Sequence, residues 1–181
     1  MRISDEYRSL NRALHRSNPD YGRAAYALAP WVVDFARACR IRSLLDYGCG
    51  KGTLRPAVLA LYPALVVAEY DPAMPGKDKE PDPCDLVVCI DVLEHVEPDC
   101  LSDVLAHIKA LSLGGALFII DTVPAQKTLA DGRNAHLIIE NIGWWETTLG
   151  DYFDIKFAQP LAPNQQPRVL VIGTHAPWAR R

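Results

Sequence analysis

The sequence predicts a three-layer α/β/α sandwich, in which a mostly parallel sheet is covered by helices on both faces. Four short and nearly continuous apolar runs alternate with segments of helical character, a pattern that is typical of strands buried on both sides. The last two predicted strands are joined by a short turn over residues 160–167, so we expect a hairpin and an antiparallel last strand. At 181 residues the chain has the length of one domain.

Two regions of different character follow each other along the chain. We expect residues 1–40 to form an N-terminal helical cap, with helices over residues 3–16 and 22–40. Residues 41–175 are expected to form the core of a single domain over residues 1–181. The predicted strands are residues 43–47, 64–70, 84–90, 115–121, 153–158 and 168–174. The predicted helices between them are residues 53–62, 98–112 and 141–151.

Composition excludes several classes of protein. The 19 basic and 22 acidic residues give a net charge of −3, which disfavours nucleic-acid binding through a broadly cationic surface. No apolar run reaches the ~18 residues of a membrane-spanning helix, and the charged N-terminus does not resemble a secretory signal. The five cysteines are odd in number and form no CxxC pair, so we expect free thiols in the cytoplasm.

A glycine-rich loop follows the first predicted strand. Asp46 lies at the strand end, and Gly48, Gly50 and Gly52 follow with G-x-G-x-G spacing. Open parallel sheets bind ligands beyond the carboxyl ends of their strands, and glycines let a ligand approach the backbone closely. The spacing differs from the G-x-G-x-x-G of dinucleotide-binding loops, and Lys51 is not followed by the Ser or Thr of a phosphate-binding loop. An acid at this position would repel a pyrophosphate but suits the ammonium of an amino acid.

Three segments resemble motifs of the class I S-adenosylmethionine-dependent methyltransferases. Leu44–Gly52 is similar to the first motif of that family, and Asp71 matches the acid that binds the ribose hydroxyls at the end of the second strand. Asp85–Val96 resembles the fourth-strand motif, and Gly114 and Gly115 fit the approach to the next strand. The resemblance implies a Rossmann-like methyltransferase sheet with S-adenosylmethionine as cofactor. The implied cofactor-binding residues are Asp46, Gly48, Gly50, Asp71 and Asp91.

The chain departs from the family between its second and third apolar runs. The family places a helix and a third strand there, whereas this chain has only Pro72–Pro83 with four prolines and mixed charges. We expect both elements to be missing or reduced to a loop, so the adenine contacts of the family cannot be transferred. Residues 72–76 are the candidates for that wall of the site.

An acidic and histidine-rich group follows the third apolar run. Asp91, Glu94 and His95 have i, i+3, i+4 spacing and would share one face of a helix. The later polar turn supplies His136 to the same edge, with Arg133 and Asn134 as further candidates for substrate contact. These residues allow three interpretations, namely a general base, a divalent metal site or structural packing.

The general-base interpretation assigns catalysis to Glu94, His95 and His136. The metal interpretation uses Asp91 together with those three residues, and it rests on a resemblance to the metal cluster of small-RNA 3′-terminal methyltransferases. The first acid of that cluster is Glu, whereas this chain has Asp91, which has a shorter reach.

The sequence therefore predicts a methyltransferase that acts on a hydroxyl group of a small molecule, because such an acceptor must lose a proton. The alternatives are a metal-assisted methyltransferase of RNA ends and a non-catalytic member that binds the cofactor. We expect no membrane association, and a monomer or a homodimer.

A few other residues carry weaker expectations. One of Trp144 and Trp145 is expected in the core and the other along the cleft, because adjacent helical residues point about 100° apart. His15 and Tyr21 are candidates to cap the site from the N-terminal segment. Lys51 is expected to be solvated.

Overall fold

The computed structural model describes residues 1–18, 24–160 and 168–174. Its helices are α1 (Asp5–Ser17), α2 (Ala29–Ala38), α3 (Leu54–Leu61), α4 (Leu101–Leu111) and α5 (Ile142–Gly150). Its strands are β1 (Ser43–Tyr47), β2 (Val66–Tyr70), β3 (Cys84–Ile90), β4 (Ser112–Asp121), β5 (Asp154–Pro160) and β6 (Arg168–Thr174). Short 3-10 turns lie at Ala24–Leu28, Leu93–His95 and Pro98–Cys100.

The strands form one sheet in the order β2-β1-β3-β4-β6-β5. Strands β1 to β4 pair in parallel, while β6 pairs antiparallel with both β4 and β5. This confirms the predicted parallel sheet with an antiparallel last strand. Residues 161–167, the main part of the predicted hairpin turn, lie outside the described residues.

Side chains alternate between the two faces of the sheet, and both faces are buried along the central strands β1, β3 and β4. One face packs against α4 and α5, with Leu45, Val87 and Phe118 among its core residues. The opposite face packs against α2 and α3, with Leu44 and Leu86 in its core. Since successive strand residues point to opposite faces, each strand of this kind has to be apolar at nearly every position, as its sequence is.

The segment between β2 and β3 contains neither a helix nor a strand, as the prolines predicted. It is closed by its own backbone hydrogen bonds instead. The amide of Asp71 donates to the carbonyl of Lys77 at 2.9 Å, and the amide of Met74 donates to the carbonyl of Asp71 at 3.2 Å. The sheet therefore ends at β2 on this side.

Helix α1 packs across two loops at one edge of the sheet. Its N-cap is Ser4, whose side chain accepts a hydrogen bond from the amide of Tyr7. Tyr7 is buried in a small apolar cluster with Ala73, Leu129 and Ala135. The helix therefore links the loop after β2 to the loop after β4. Tyr21 and the rest of residues 19–23 lie outside the described residues.

All five cysteines are free thiols, and four of them are buried, as expected from the sequence. Within the described ranges of the chain, no helix has both the length and the apolar character needed to cross a bilayer.

Candidate functional site at the carboxyl ends of the strands

Each of the four parallel strands ends in or beside an aspartate. Asp46 is the second-last residue of β1, Asp71 and Asp91 directly follow β2 and β3, and Asp121 is the last residue of β4. Because the strands are parallel, their carboxyl ends meet at one edge of the sheet. This edge therefore concentrates negative charge and suits a ligand with positive charge.

The glycine loop after β1 adopts backbone angles that other residues avoid. Gly48, Gly50 and Gly52 have φ values of 75°, 51° and 73°. The amide of Gly48 donates to the carbonyl of Tyr70 at 2.8 Å, which ties the loop to the end of β2. The loop therefore turns sharply with no side chain on three of its five residues.

The carboxyl of Asp46 is almost completely buried, with 3% of the residue exposed. Burial and, to a smaller extent, the neighbouring carboxylate of Glu69 together raise its pKa to about 7, against the opposing effect of Lys77. A buried carboxyl of this kind gains most from a cationic partner, since that partner removes the cost of its ionisation. This observation fits the ammonium group of an amino-acid ligand.

Asp71 is fixed by two backbone amides. Its Oδ2 accepts from the amide of Gly50 at 2.9 Å, and its Oδ1 accepts from the amide of Ala73 at 2.8 Å. The carboxylate is therefore held rigidly beside the glycine loop. Lys51, expected to be solvated, is half-buried, and its Nζ donates to the carbonyl of Asn18 at the end of α1.

The expected helical face after β3 is absent. Asp91 has a positive φ of 52°, and its amide donates to the carbonyl of Ile119 at 2.8 Å. A single 3-10 turn over Leu93–His95 follows it. A residue in the left-handed region ends the strand abruptly, so Asp91 does not continue into a regular helix with Glu94 and His95.

Glu94 and His95 instead come together with His136. A ligand atom from each of the three side chains lies within 4.8 Å of the other two, and Asp91 is not part of this group. The structure therefore brings together three of the four residues in the predicted acid–histidine group.

Glu94 is fully buried and only partly satisfied. Its Oε1 accepts from the amide of Asp121 at 2.9 Å. In the described part of the chain, its Oε2 is buried without a hydrogen-bond partner. Burial and the nearby Asp91 raise the pKa of this carboxyl well above its ordinary range.

The two imidazoles are oriented by backbone carbonyls. His95 Nδ1 lies 2.7 Å from the carbonyl oxygen of Ala135, and His136 Nδ1 lies 2.5 Å from that of Val123. Both contacts require a proton on Nδ1, which leaves the lone pair on Nε2 in the neutral ring. Burial and, to a smaller extent, the adjacent His136 together lower the pKa of His95 to about 4. His95 is therefore uncharged at neutral pH.

The other predicted contacts with substrate have structural partners. Arg133 pairs with Asp131 at the surface, and both backbone polar groups of Ala125 bond to the side chain of Asn134 at 2.9 Å. Trp145 is fully buried in the core, while Trp144 is 36% exposed. The expectation that one of the two tryptophans lies in the core is confirmed by Trp145.

Two residues at this edge were not found from the sequence. The amide of Asp121 fixes Glu94, and the side chain of Val92 packs against the glycine loop at Gly48. Asp121 could have been found from the sequence, because it is an acid at the end of the fourth apolar run. Val92 gave no such signal, because an apolar residue after a strand usually belongs to the core.

The model of a family described as a methyltransferase domain matches residues 8–157. No curated protein sequence matches the chain.

Three solved structures illustrate the fold. DhpI in its complex with SAH is 17% identical with a TM-score of 0.68, and the match covers 97% of this chain and 100% of that chain. The 1,6-didemethyltoxoflavin-N1-methyltransferase of Burkholderia thailandensis is 18% identical with a TM-score of 0.66, covering 96% and 90%. An O-methyltransferase family protein from the same organism is 18% identical with a TM-score of 0.58, covering 85% and 58%. The chain thus spans little more than half of this last protein.

At such identities the structural similarities establish the fold, whereas the family model establishes the relationship. Because that model spans most of the chain, the protein belongs to the methyltransferase domain family, within the class I S-adenosylmethionine-dependent methyltransferases.

Proposed function

We propose that the protein transfers the methyl group of S-adenosylmethionine to a hydroxyl group of a small molecule. The observation that carries the proposal is the glycine loop with three positive φ values, which lies between two buried strand-end carboxyls, Asp46 and Asp71. When bound, the cofactor supplies a methyl group that its sulfonium charge has already activated. The chain has to hold the cofactor and place the acceptor beside it.

In this proposal Asp46 and Asp71 bind different parts of the cofactor. The high pKa of Asp46 supports a role against the ammonium group, since a cation at that position stabilises the ionised carboxylate. Asp71 is held by Gly50 and Ala73 and keeps lone pairs for the ribose hydroxyls. Gly48 and Gly50 let the amino-acid end approach the backbone, and Asp91 completes the row of strand-end carboxylates.

Glu94, His95 and His136 are proposed to face the acceptor. A hydroxyl oxygen is a weak nucleophile until its proton is removed, so the acceptor needs groups that attract that proton or stabilise the resulting anion. Backbone carbonyls hold the two histidines by their Nδ1 atoms, and the buried carboxyl of Glu94 lies beside them. An amine or a thiol acceptor would need this group less.

The charge of this edge favours a small molecule over a nucleic acid. Aspartates at four adjacent strand ends would repel a phosphate backbone, and the chain as a whole carries a net charge of −3. A small neutral or weakly acidic acceptor avoids that repulsion.

Cofactor binding is tested by isothermal titration of the whole chain with S-adenosylhomocysteine. We expect saturable binding, and we expect Asp71→Ala to weaken it by roughly 10- to 100-fold through lost charge-assisted hydrogen bonds. Asp85→Ala is the matched control. Asp85 Oδ2 also accepts two backbone amides, those of Arg42 and Ser43, but at the opposite edge of the sheet. Absence of heat at millimolar ligand, or equal affinity in both variants, would refute the assignment.

The acceptor atom is tested with radiolabelled S-adenosylmethionine and matched pairs of phenols and anilines. We expect label on the hydroxyl compounds alone. Label that appears only on the amines would overturn the proposal of O-methylation while leaving the cofactor site intact.

A further inference from the structure

We propose that Glu94, His95 and His136 bind one divalent transition-metal ion, which in turn binds the hydroxyl oxygen of the methyl acceptor. The three side chains come from two distant stretches of the chain, yet one ligand atom of each lies within 4.8 Å of the other two. The proposal of a metal site is based on this geometry. The role toward the acceptor deepens the proposed function and rests on it.

The orientation of the two imidazoles is the arrangement that is usual for histidine metal ligands. His95 Nδ1 is engaged by the carbonyl of Ala135, and His136 Nδ1 by the carbonyl of Val123. Histidine ligands in metalloproteins usually donate their second ring N–H to such a partner, which fixes both the ring and the tautomer. The ring centroids are 4.7 Å apart with an interplanar angle of 80°, so the rings meet edge to face.

Glu94 supplies an independent sign that a cation belongs here. Its side chain is completely buried, its Oε1 accepts from the amide of Asp121, and its Oε2 has no hydrogen-bond partner within the described ranges. A buried carboxyl oxygen without a partner is costly. A metal ion held jointly with two imidazoles would satisfy this atom.

Backbone contacts hold the two stretches together before any ion binds. The carbonyl of Glu94 accepts from the amides of Leu137 and Ile138, at 2.7 and 3.0 Å. The amide of His136 also donates to Asn134 Oδ1 at 2.9 Å. The third ligand is therefore fixed to the turn that carries the first two, and a metal ion would not have to order a loose loop.

The donor set indicates the class of metal. Two imidazoles and one carboxylate suit Zn²⁺, Fe²⁺, Co²⁺ or Mn²⁺, whereas Mg²⁺ and Ca²⁺ prefer oxygen ligands alone. Three protein ligands leave at least one coordination position open, as in catalytic rather than structural sites. The nearby Asp91 is not a ligand in this arrangement, but its charge reaches Glu94 and favours a cation there.

An open coordination position gives the acceptor hydroxyl a place to bind. Coordination of the oxygen makes its proton more acidic, and that proton leaves to water. The oxygen then uses a lone pair to form the bond to the methyl carbon, while the carbon–sulfur bond breaks and leaves its electron pair on sulfur. The products are a methyl ether, a neutral thioether and one proton.

The test begins with the full chain stripped of metal by a chelator and titrated with Co²⁺, whose visible absorption reports imidazole ligation. We expect one ion per chain. Glu94→Gln and His136→Ala are expected to weaken Co²⁺ binding by at least about tenfold. Mutation of groups that only orient metal ligands already lowers metal affinity by roughly 10- to 100-fold. Glu94→Gln keeps an oxygen acceptor for the amide of Asp121. His107→Gln is the matched control, since His107 contacts Tyr47 and Glu80 instead, and it should bind Co²⁺ as the unmodified chain does.

Each outcome decides a separate part of the proposal. Absence of stoichiometric Co²⁺ binding, or binding that both ligand variants retain, overturns the metal site. If S-adenosylhomocysteine still binds to such a chain, the proposed function stands without the metal. Catechol added to the Co²⁺-loaded chain should change its absorption bands, and unchanged bands would overturn the role of the ion toward the acceptor. Loss of S-adenosylhomocysteine binding with intact Co²⁺ binding would overturn the proposed function alone.

Discussion

Gly48 lies directly against the side chain of Val92. A Cβ atom at Gly48 would come 2.5 Å from Val92 Cγ2, and the backbone of Gly48 has a positive φ of 75°. The contact joins the glycine loop after β1 to the stretch after β3. Glycine is therefore required for two separate reasons, its backbone angle and the space beside it.

We expect Gly48→Ala to lower the free energy of unfolding by about 2–4 kcal/mol, of which about 1–2 kcal/mol is backbone strain and the rest overpacking. Gly76→Ala separates the two contributions, because Gly76 has a φ of 85° but no neighbouring atom within 4 Å of an added Cβ. Gly76→Ala should therefore lower the free energy of unfolding only by the cost of the backbone strain. Urea denaturation measures the stability of both variants. Equal losses of stability would show that Val92 can move aside with no energetic penalty.

Asp46 makes stability depend on pH. Its pKa rises from 3.8 to about 7 on folding. Between those values the unfolded chain loses a proton that the folded chain keeps, so stability falls as the pH rises, by up to about 1.4 kcal/mol per pH unit, and levels off above pH 7. We expect Asp46→Asn to remove this decline. Near pH 4 the variant should match the unmodified chain, and near pH 8 it should be more stable.

The measurement is urea denaturation of both proteins across this pH range. Asp99→Asn, which removes an exposed carboxyl, is the control and should leave the pH dependence unchanged. Parallel curves for Asp46→Asn and the unmodified chain would contradict the buried, protonated state of Asp46. The same variant should bind S-adenosylhomocysteine more weakly, since an amide does not pair with an ammonium group as a carboxylate does.

The strand ends could be predicted because local sequence determines them. An apolar run that stops at an acid, as at Asp46, identifies both a buried strand and a polar group at its carboxyl end. Four prolines between β2 and β3 likewise excluded a regular strand there. Each of these features depends on a few neighbouring residues, and a parallel sheet necessarily places its strand-end acids at one edge.

The details of the acid–histidine group could not be predicted, because they depend on contacts between distant residues. Spacing suggested that Asp91, Glu94 and His95 share a helical face, but the bond from the amide of Asp91 to Ile119 on β4 holds Asp91 in the left-handed region. The carbonyls that orient the imidazoles belong to a long loop. Any residue type supplies a carbonyl, so the sequence contains no signal for them.

Ser4 anchors α1 to the body of the protein. Its hydroxyl caps the helix at the amide of Tyr7 and also donates to Glu97 Oε1 at 2.6 Å. We expect Ser4→Ala to cost about 1 kcal/mol, as for other N-cap serines, and to increase amide hydrogen exchange across Asp5–Ser17. Ser9→Ala is the control on the same helix, because the hydroxyl of Ser9 is exposed and donates to the carbonyl of Asp5 at 2.9 Å, within the helix itself. Equal exchange in the two variants would show that the cap does not hold the helix.

Lys77 should set the pH at which the cofactor binds. Its Nζ lies 3.2 Å from Glu69 Oε1, and its charge lowers the pKa of Asp46, which Glu69 raises. Lys77→Met removes this cation and leaves Glu69 with the more distant Arg55, whose Nη1 lies 3.9 Å from Glu69 Oε2. The pKa of Asp46 therefore rises, and less of it is ionised near pH 7. We expect several-fold weaker binding of S-adenosylhomocysteine there and recovery at about pH 8.5.

Isothermal titration at a series of pH values tests this shift, with Lys109→Met, an exposed change on α4, as the control. A binding curve displaced to higher pH in Lys77→Met alone is the expected result, because only the ionised carboxylate of Asp46 attracts the ammonium group. A loss of affinity that is the same at every pH would mean that Lys77 acts by contact with the ligand or by holding the loop. In that case the electrostatic link from Lys77 to Asp46 would be wrong.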